Sequence, residues 1–209
     1  MNIILDFDNT IFAGELFLEA VRKEFIACGV LDTHFQKLFL DVNGLYAGAG
    51  ITNRIRLLSE KSGVSLKKLE EKLFLLNKSA YTFLYSDTVP FLGRMASEHN
   101  LTILTFGEDV FQRTKITGAC LEPYVTNVVV TDNIHKDKEA SEISNGKPAV
   151  FVEDNPIALS RTKRYAPHIA TVRMQRSHGR YKNVPSGDGI DIEVRTLAEV
   201  EYFIKSYLL

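Results

Sequence analysis

Five short apolar segments restrict the fold of this 209-residue chain more than any other feature. Strands with one solvated face usually alternate polar and apolar residues, whereas short apolar runs are typical of strands buried on both faces. Such strands form parallel sheets that are covered by helices, so the pattern predicts an α/β fold. The segments are NIIL (2–5), LTIL (101–104), VTNVVV (125–130), AVFV (149–152) and IATV (169–172).

The segments between the later strands carry helical patterns of suitable length. They are residues 108–120, 138–144, 155–166 and 196–209, and the last of them is clearly amphipathic. This alternation of strands and helices predicts a doubly wound parallel sheet.

The stretch from residue 13 to residue 85 interrupts this alternation. It contains four helical patterns and no convincing strand; the patterns are residues 15–29, 33–42, 52–63 and 65–85. We therefore predict a helical insertion at 13–85 within an α/β core that consists of residues 1–12 and 86–209.

Composition restricts the partners and the compartment. Lys and Arg number 25 against 26 Asp and Glu, so the charge gives no sign of nucleic-acid or acidic-membrane binding. The two cysteines, Cys28 and Cys120, have neither disulfide-framework nor zinc spacing. No apolar run reaches the roughly 18 residues of a membrane span, and Asp6 and Asp8 interrupt the N-terminal apolar run. We expect a cytoplasmic protein without a nucleic-acid or membrane partner.

Two aspartates follow the first predicted strand directly. In an extended chain, residues two apart project to the same face, so the carboxylates of Asp6 and Asp8 repel each other unless a cation lies nearby. A metal ion is one such cation.

Other candidate residues fall at the same edge of the predicted sheet. Ligands of open parallel sheets bind beyond the carboxyl ends of the strands, where these residues are expected to meet. They are Thr105, Phe106 and Gly107 after the second strand, Lys136 and Lys138 before the fourth, and Glu153 and Asp154 after the fourth.

The order DFDNT, ILTFG, lysine and VFVEDNP resembles the haloacid dehalogenase superfamily, whose members are mostly phosphatases. DFDNT is the most specific part, because DxDxT after an N-terminal strand is the first motif of that family. The resemblance spans residues 3–155 and implies a Rossmann-like core with a helical cap at 13–85. The chain departs from the family pattern in having TFG after the motif strand and no KPxP sequence at the lysine.

The resemblance implies a Mg²⁺-dependent phosphoryl-transfer site. Asp6 would be the nucleophile that forms an aspartyl-phosphate, and Asp8 would act first as general acid and then as general base. Asp6, the backbone carbonyl of Asp8 and Asp154 would bind Mg²⁺, supported by Glu153. An aspartate at position 8 favours phosphoryl transfer over carbon–halogen cleavage, since a halide leaving group needs no proton.

The resemblance also implies the remaining contacts to the phosphoryl group. The Thr105 hydroxyl would bind a phosphoryl oxygen, next to Phe106 and Gly107. A lysine would neutralise the nucleophile and the phosphoryl group. Both Lys136 and Lys138 fit, with a slight preference for Lys138 because it lies nearer the predicted start of the helix.

Basic residues elsewhere are weaker candidates. If the insertion selects the substrate, Arg54 or Arg56 contacts an anionic leaving group. The segment from residue 173 to residue 185 is predicted to be a solvated basic loop that binds no nucleic acid, because aromatic interleaving is lacking. Its basic residues are Arg173, Arg176, His178, Arg180 and Lys182.

The predicted function is hydrolysis of small phosphorylated metabolites, since a closed cap excludes large partners. A phosphomutase or other phosphotransferase is the nearest alternative, because the same four motifs serve both reactions. A silent binding module is disfavoured by the full set of site residues, and a signalling receiver domain by the position of Asp6 at the first strand. The identity of the metabolite and the oligomeric state are not predicted.

Overall fold

The computed structural model describes residues 1–40 and 50–207. Its strands form one parallel sheet in the order β3-β2-β1-β4-β5-β6. They are β1 (Asn2–Leu5), β2 (Asn100–Phe106), β3 (Asn127–Thr131), β4 (Ala149–Glu153), β5 (Ile169–Met174) and β6 (Ile192–Val194).

The described residues also contain nine α-helices. They are α1 (Gly14–Ala27), α2 (Asp32–Phe35), α3 (Ile51–Ser62), α4 (Leu66–Lys78), α5 (Thr88–Met95), α6 (Asp109–Gly118), α7 (Asp137–Ser144), α8 (Pro156–Tyr165) and α9 (Leu197–Tyr207). A π-helix (Gln36–Leu40) continues α2, and 3₁₀ turns lie at Ala80–Phe83 and Glu122–Tyr124. Within the described ranges, no helix has both the length and the apolar character that crossing a bilayer requires.

The predicted α/β fold is confirmed, and both faces of the sheet are covered. Ile3 and Leu5 of β1 join a hydrophobic cluster that continues into α5, α9 and the inserted helices. Ile4, which points to the opposite face, joins a second cluster with residues of α7 and α8. Because alternate residues of one strand pack into different layers, apolar residues must occupy consecutive positions.

The described part of the insertion consists of helices joined by short turns. Between Gly14 and Phe83 the described residues form no strand of the sheet. The pattern at 65–85 predicts one helix, but α4 ends at Lys78, where the Ser79 hydroxyl donates to the carbonyls of Leu75 and Leu76. Residues 41–42 of the predicted helix 33–42 lie outside the described residues, and the proposed domain boundaries stay a prediction.

One buried arginine joins the two places where the chain passes between sheet and insertion. The Arg176 guanidinium donates to the Thr10 carbonyl at 3.0 and 3.1 Å, and to both Asp87 oxygens at 2.9 Å. It also lies 4.1 Å from the ring centroid of Tyr85. The prediction of a solvated basic loop is therefore wrong for Arg176, and also for Arg173, which is 1% exposed.

Candidate active site

The site lies at the carboxyl ends of β1 and β4, the neighbouring strands between which the strand order of the parallel sheet reverses. The Asp6 amide donates to the Val152 carbonyl at 2.9 Å, which extends the pairing of the two strands to the first aspartate. Glu153 ends β4, and Asp154 follows it. Crevices at such switch points are where open α/β sheets bind ligands.

Three buried carboxylates gather around one ammonium at this point. Oxygens of Asp6, Glu153 and Asp154 all lie within 4.8 Å of one another. Lys136 Nζ donates to Asp6 Oδ1 through a short hydrogen bond and to Glu153 Oε2 at 2.7 Å. The cluster therefore carries two more carboxylates than it has cations.

This imbalance shifts the titration of the cluster. Burial first, and then repulsion from Glu153, raises the pKa of Asp6 from 3.8 to about 7, although Lys136 opposes the shift. Burial and the neighbouring carboxylates also raise the pKa of Asp154 well above its ordinary value. Burial alone would lower the pKa of Lys136, but Asp6 and Glu153 raise it above its usual range. Lys136 therefore stays charged, and burial together with the excess of carboxylates raises the pKa values of the two acids.

The free oxygen of Asp154 is the feature that fits a metal ion. Both Glu153 oxygens are engaged, one by Lys136 and the other by the Asn155 amide at 3.0 Å. Asp154 Oδ2 is buried and has no hydrogen-bond partner. Mg²⁺ prefers carboxylate oxygens, so Asp6 and Asp154 would hold it and Glu153 would support it by holding Lys136.

Of the two candidate lysines, the structure places Lys136 beside Asp6, and not Lys138, which the spacing favours. Lys136 is buried against Asp6, whereas Lys138 is exposed on α7. Lys136 has φ +57°, an uncommon left-handed conformation for a residue other than glycine. This conformation places Lys136 in the loop before α7, a position that spacing along a helix does not reveal.

The end of β2 contributes the predicted hydroxyl. Thr105 is buried, and its Oγ1 accepts from Gln112 Nε2 at 3.0 Å. The same Gln112 nitrogen donates to the Phe106 carbonyl at 2.7 Å. Gly107 has φ +146°, a conformation that favours glycine, and a Cβ there would lie 3.1 Å from the Gln112 side chain.

Asp8 has a separate partner that the sequence analysis missed. Lys115 Nζ of α6 donates to its two carboxylate oxygens at 2.7 and 2.8 Å, and Gln112 Nε2 donates to one of them at 3.0 Å. Gln112, Lys115 and Ile116 share the buried face of α6. A lysine among buried-face positions was the one available signal.

Comparison with known proteins identifies the fold. No protein-family model and no curated protein matches the sequence. Among solved structures, a protein described as a haloacid dehalogenase-like hydrolase from Burkholderia xenovorans is 19% identical, covers 100% of this chain and 98% of its own, and has a TM-score of 0.77. The chain has the haloacid dehalogenase-like fold.

Other structures with this fold differ in the activity that their names give. One, described as the HAD-hydrolase YfnB from Bacillus subtilis bound to magnesium, is 15% identical over 97% of both chains, with a TM-score of 0.68. Another, described as a β-phosphoglucomutase from Thermotoga maritima, is 16% identical over 98% of both chains, with a TM-score of 0.63. Further matches are 2-haloacid dehalogenases. At these identities the likeness concerns the fold, and the activity depends on the site residues.

On this haloacid dehalogenase-like fold, most of the predicted site residues line one cavity of about 260 Å³. Arg54, Gly107 and Lys138 do not line it. Arg180 and Tyr181, from the loop after β5, line it instead. The predicted residues that the cavity brings together are Asp6, Asp8, Thr105, Phe106, Lys136, Glu153 and Asp154.

Proposed function

We propose that the chain is a Mg²⁺-dependent hydrolase of small phosphate monoesters that acts through an aspartyl-phosphate on Asp6. The observation that carries the proposal is the buried excess of carboxylates around Lys136, with one oxygen of Asp154 unpartnered. Asp8 lines the same cavity and supplies a carboxylate outside that cluster. A hydrolase that uses a nucleophile and a separate acid–base group needs two carboxylates in different surroundings.

The reaction follows from the position of the two aspartates. An Asp6 oxygen attacks phosphorus, the ester P–O bond breaks, and Asp8, which must be in its protonated form for this step, gives its proton to the leaving oxygen. Asp8 then takes a proton from water, which attacks the phosphorus and releases phosphate and the Asp6 carboxylate. Lys136 holds Asp6 throughout and attracts the phosphoryl oxygens.

Charge neutralisation is the chemistry that Mg²⁺ would supply when bound by Asp6 and Asp154. Two unit charges about 4 Å apart interact by roughly 4 kcal/mol at an effective dielectric constant near 20, so an anionic nucleophile needs cations nearby. Thr105 would bind a phosphoryl oxygen with its hydroxyl, beside the Phe106 backbone. The substrate is a small phosphorylated metabolite, and the cytoplasmic location and lack of membrane or nucleic-acid partners belong to the same proposal.

Hydrolysis assays test the proposal. The wild-type protein is incubated with p-nitrophenyl phosphate and a panel of small alkyl and sugar phosphates, in Mg²⁺ or in EDTA. We expect phosphate release that requires Mg²⁺, that falls by about 10³-fold or more in Asp6→Asn, and that persists in Asp188→Asn, which changes an exposed aspartate of a surface loop. Hydrolysis that survives Asp6→Asn contradicts the nucleophile assignment.

The covalent step has its own test. With p-nitrophenyl phosphate, Asp8→Asn should accumulate a phosphoryl group on Asp6, because the good leaving group still departs while the water lacks a base. Peptide mass spectrometry locates the group. Phosphorylation at another residue, or none during turnover, contradicts the proposed intermediate.

A phosphomutase is the second candidate, since a structure described as a β-phosphoglucomutase shares the fold. In that case sugar phosphates are isomerised in an Asp6-dependent reaction without net release of phosphate. Product analysis by ³¹P NMR separates the two reactions. Halide release from 2-haloacids is not expected, because Asp8 supplies a proton that a halide does not need.

A further inference from the structure

A second buried lysine lies beside the cavity. Among the residues that the structure describes, the buried lysines are Lys115 and Lys136, and Lys115 is 3% exposed. Lys136 belongs to the acidic cluster described above, whereas Lys115 contacts neither Asp6 nor Asp154 through any hydrogen bond or ion pair in the described ranges. Lys115 is therefore not part of the acidic cluster.

Lys115 and Gln112 together bind both oxygens of Asp8. The ammonium donates to Oδ1 at 2.7 Å and to Oδ2 at 2.8 Å, and the Gln112 amide donates to Oδ2 at 3.0 Å. Gly14 also lies close to Asp8, because a Cβ there would be 2.9 Å from Asp8 Oδ1. The Asp8 carboxylate is therefore held by two donors while its side chain remains 31% exposed.

Lys115 lies in a cage of aromatic rings. Its Nζ lies 5.1 to 5.7 Å from four phenylalanine ring centroids, within the range of cation–π attraction. Lys115 does not line the cavity that Asp8 lines. Its hydrogen bonds to Asp8 connect the ammonium to the cavity lining. The four rings are those of Phe7, Phe12, Phe17 and Phe111.

Stability alone is a poor explanation for this arrangement. Replacing a buried ion pair with apolar groups of similar volume is often neutral or stabilising, because both charges lose their hydration. An apolar residue at position 115 would suit four surrounding rings, and Asp8 faces the cavity, where water can solvate it. The pair is better explained by the orientation that it imposes on Asp8.

We propose that Lys115 is a positioning residue that holds the Asp8 carboxylate in the orientation required for proton transfer to the leaving group. The proposal rests on the proposed hydrolase function. Gln112 also restricts the position of Asp8, because its side-chain nitrogen contacts both Asp8 Oδ2 and Thr105 Oγ1 at 3.0 Å. Asp8 is thereby kept at a set position relative to the hydroxyl that would bind the phosphoryl group. A misplacement of about 1 Å costs on the order of 10²-fold in rate.

Leaving-group dependence tests the proposal. Lys115→Met keeps the length and apolar volume of the side chain and removes its charge. We expect kcat/KM for an alkyl phosphate to fall by about 10²-fold, and for p-nitrophenyl phosphate by less than about tenfold, since that leaving group needs little protonation. Arg113→Met on the exposed face of the same helix is the matched control and should change neither value more than about twofold. Equal losses with both substrates would show a merely structural effect and overturn the proposal.

A double-variant cycle provides the second test. If Lys115 acts through Asp8, Lys115→Met should have little further effect in the Asp8→Asn background, because the group that it positions is already disabled. Full additivity of the two losses overturns the proposal.

Circular dichroism shows whether Lys115→Met folds. If it does not, Gln112→Met provides the test in its place. It removes the second donor to Asp8 and should show the same leaving-group dependence with a smaller loss; equal losses with both substrates again contradict the proposal. Absence of any Asp6-dependent turnover by the wild type is a separate result, which overturns the hydrolase function and this inference together.

Discussion

The two aspartates of the DFDNT motif are two residues apart, yet each is paired with a different lysine in a different environment. Asp6 shares Lys136 with Glu153, and Asp154 lies in the same buried cluster. Asp8 forms an ion pair with Lys115, whose ammonium lies among four phenylalanine rings. The first environment is rich in carboxylates, and the second has one charge of each sign.

This difference suits the two separate tasks that we propose for the carboxylates. An excess of buried negative charge favours the binding of a cation, and burial together with this excess raises the pKa of Asp6 to about 7. A balanced pair in an apolar cage leaves no such place, but it restricts the orientation of the carboxylate. Charge balance, rather than residue type, distinguishes the proposed nucleophile from the proposed acid–base group.

Lys136→Met should have the largest effect on stability, because it leaves three buried carboxylates with no ammonium. We expect the free energy of unfolding to fall by about 3–5 kcal/mol, measured by urea denaturation in EDTA. Lys138→Met is the matched control and should change it by less than about 0.5 kcal/mol, since Lys138 is exposed. Similar losses in the two variants would remove the distinction between the lysines.

The two aspartates should respond in opposite directions to the same isosteric change. Asp8→Asn leaves the Lys115 ammonium buried without an anion, and we expect a loss of about 2 kcal/mol. Asp6→Asn removes one of the carboxylates that share Lys136, and we expect a gain of about 1 kcal/mol at pH 8 in EDTA. A change of the same sign in both variants would contradict the proposed difference in charge balance.

The sign of the Asp6 effect follows from its pKa, which is higher in the folded protein than in the unfolded chain. Folding therefore disfavours ionised Asp6, and this penalty is complete above the folded pKa of about 7. It shrinks as the pH falls from 7 towards 4 and disappears below the unfolded value near 3.9. The advantage of Asp6→Asn over wild type should decrease over the same interval in urea titrations.

Asp154→Asn should remove the stabilisation by Mg²⁺. With Mg²⁺ at about ten times its Kd, the wild-type protein gains about 1.4 kcal/mol, or roughly 3–6 °C in Tm for a chain of this size. We expect no such rise in Asp154→Asn, because the unpartnered oxygen is lost. Asp188→Asn should keep the full response in the same differential scanning experiment, and a full response in Asp154→Asn places the ion elsewhere.

Phe111→Leu should have the smallest effect. It replaces one ring of the cage around Lys115 with an aliphatic group, and the lost cation–π attraction is worth about 0.5–1 kcal/mol. Packing losses add to this value, so the cycle with Lys115→Met isolates the coupling between ring and charge. A coupling near zero would mean that the rings serve as apolar packing alone.

The sequence predicted the architecture well because buried parallel strands leave a strong local pattern. The β6 strand escaped prediction because it is three residues long, lies at the sheet edge and pairs with β5 alone. The break after Lys78 escaped because side-chain bonds of Ser79 override a continuing helical pattern. Neither the short edge strand nor the end of α4 changes the hydrophobic periodicity of the sequence, so the pattern does not reveal them.

The site was predictable at strand ends and not within helices. Asp6, Thr105 and Asp154 occupy positions where the topology of a parallel sheet places ligand-binding residues. Lys115 lies within a helix, and its partner Asp8 is 107 residues away in sequence. A lysine in an amphipathic helix is usually solvated, so only the three-dimensional neighbours reveal that this one is buried.

The position of β1 at the centre of the sheet also determines when the native structure can form. Its neighbours are β2, whose pairing begins at Asn100, and β4, whose pairing begins at Ala149. At a synthesis rate of about 5–20 residues per second, β4 follows β1 out of the ribosome by roughly 7–30 seconds. Until then the apolar strand lacks a native neighbour on that side and is open to aggregation. Changes that slow translation before residue 149 should therefore lower the yield of folded protein while leaving its final stability unaltered.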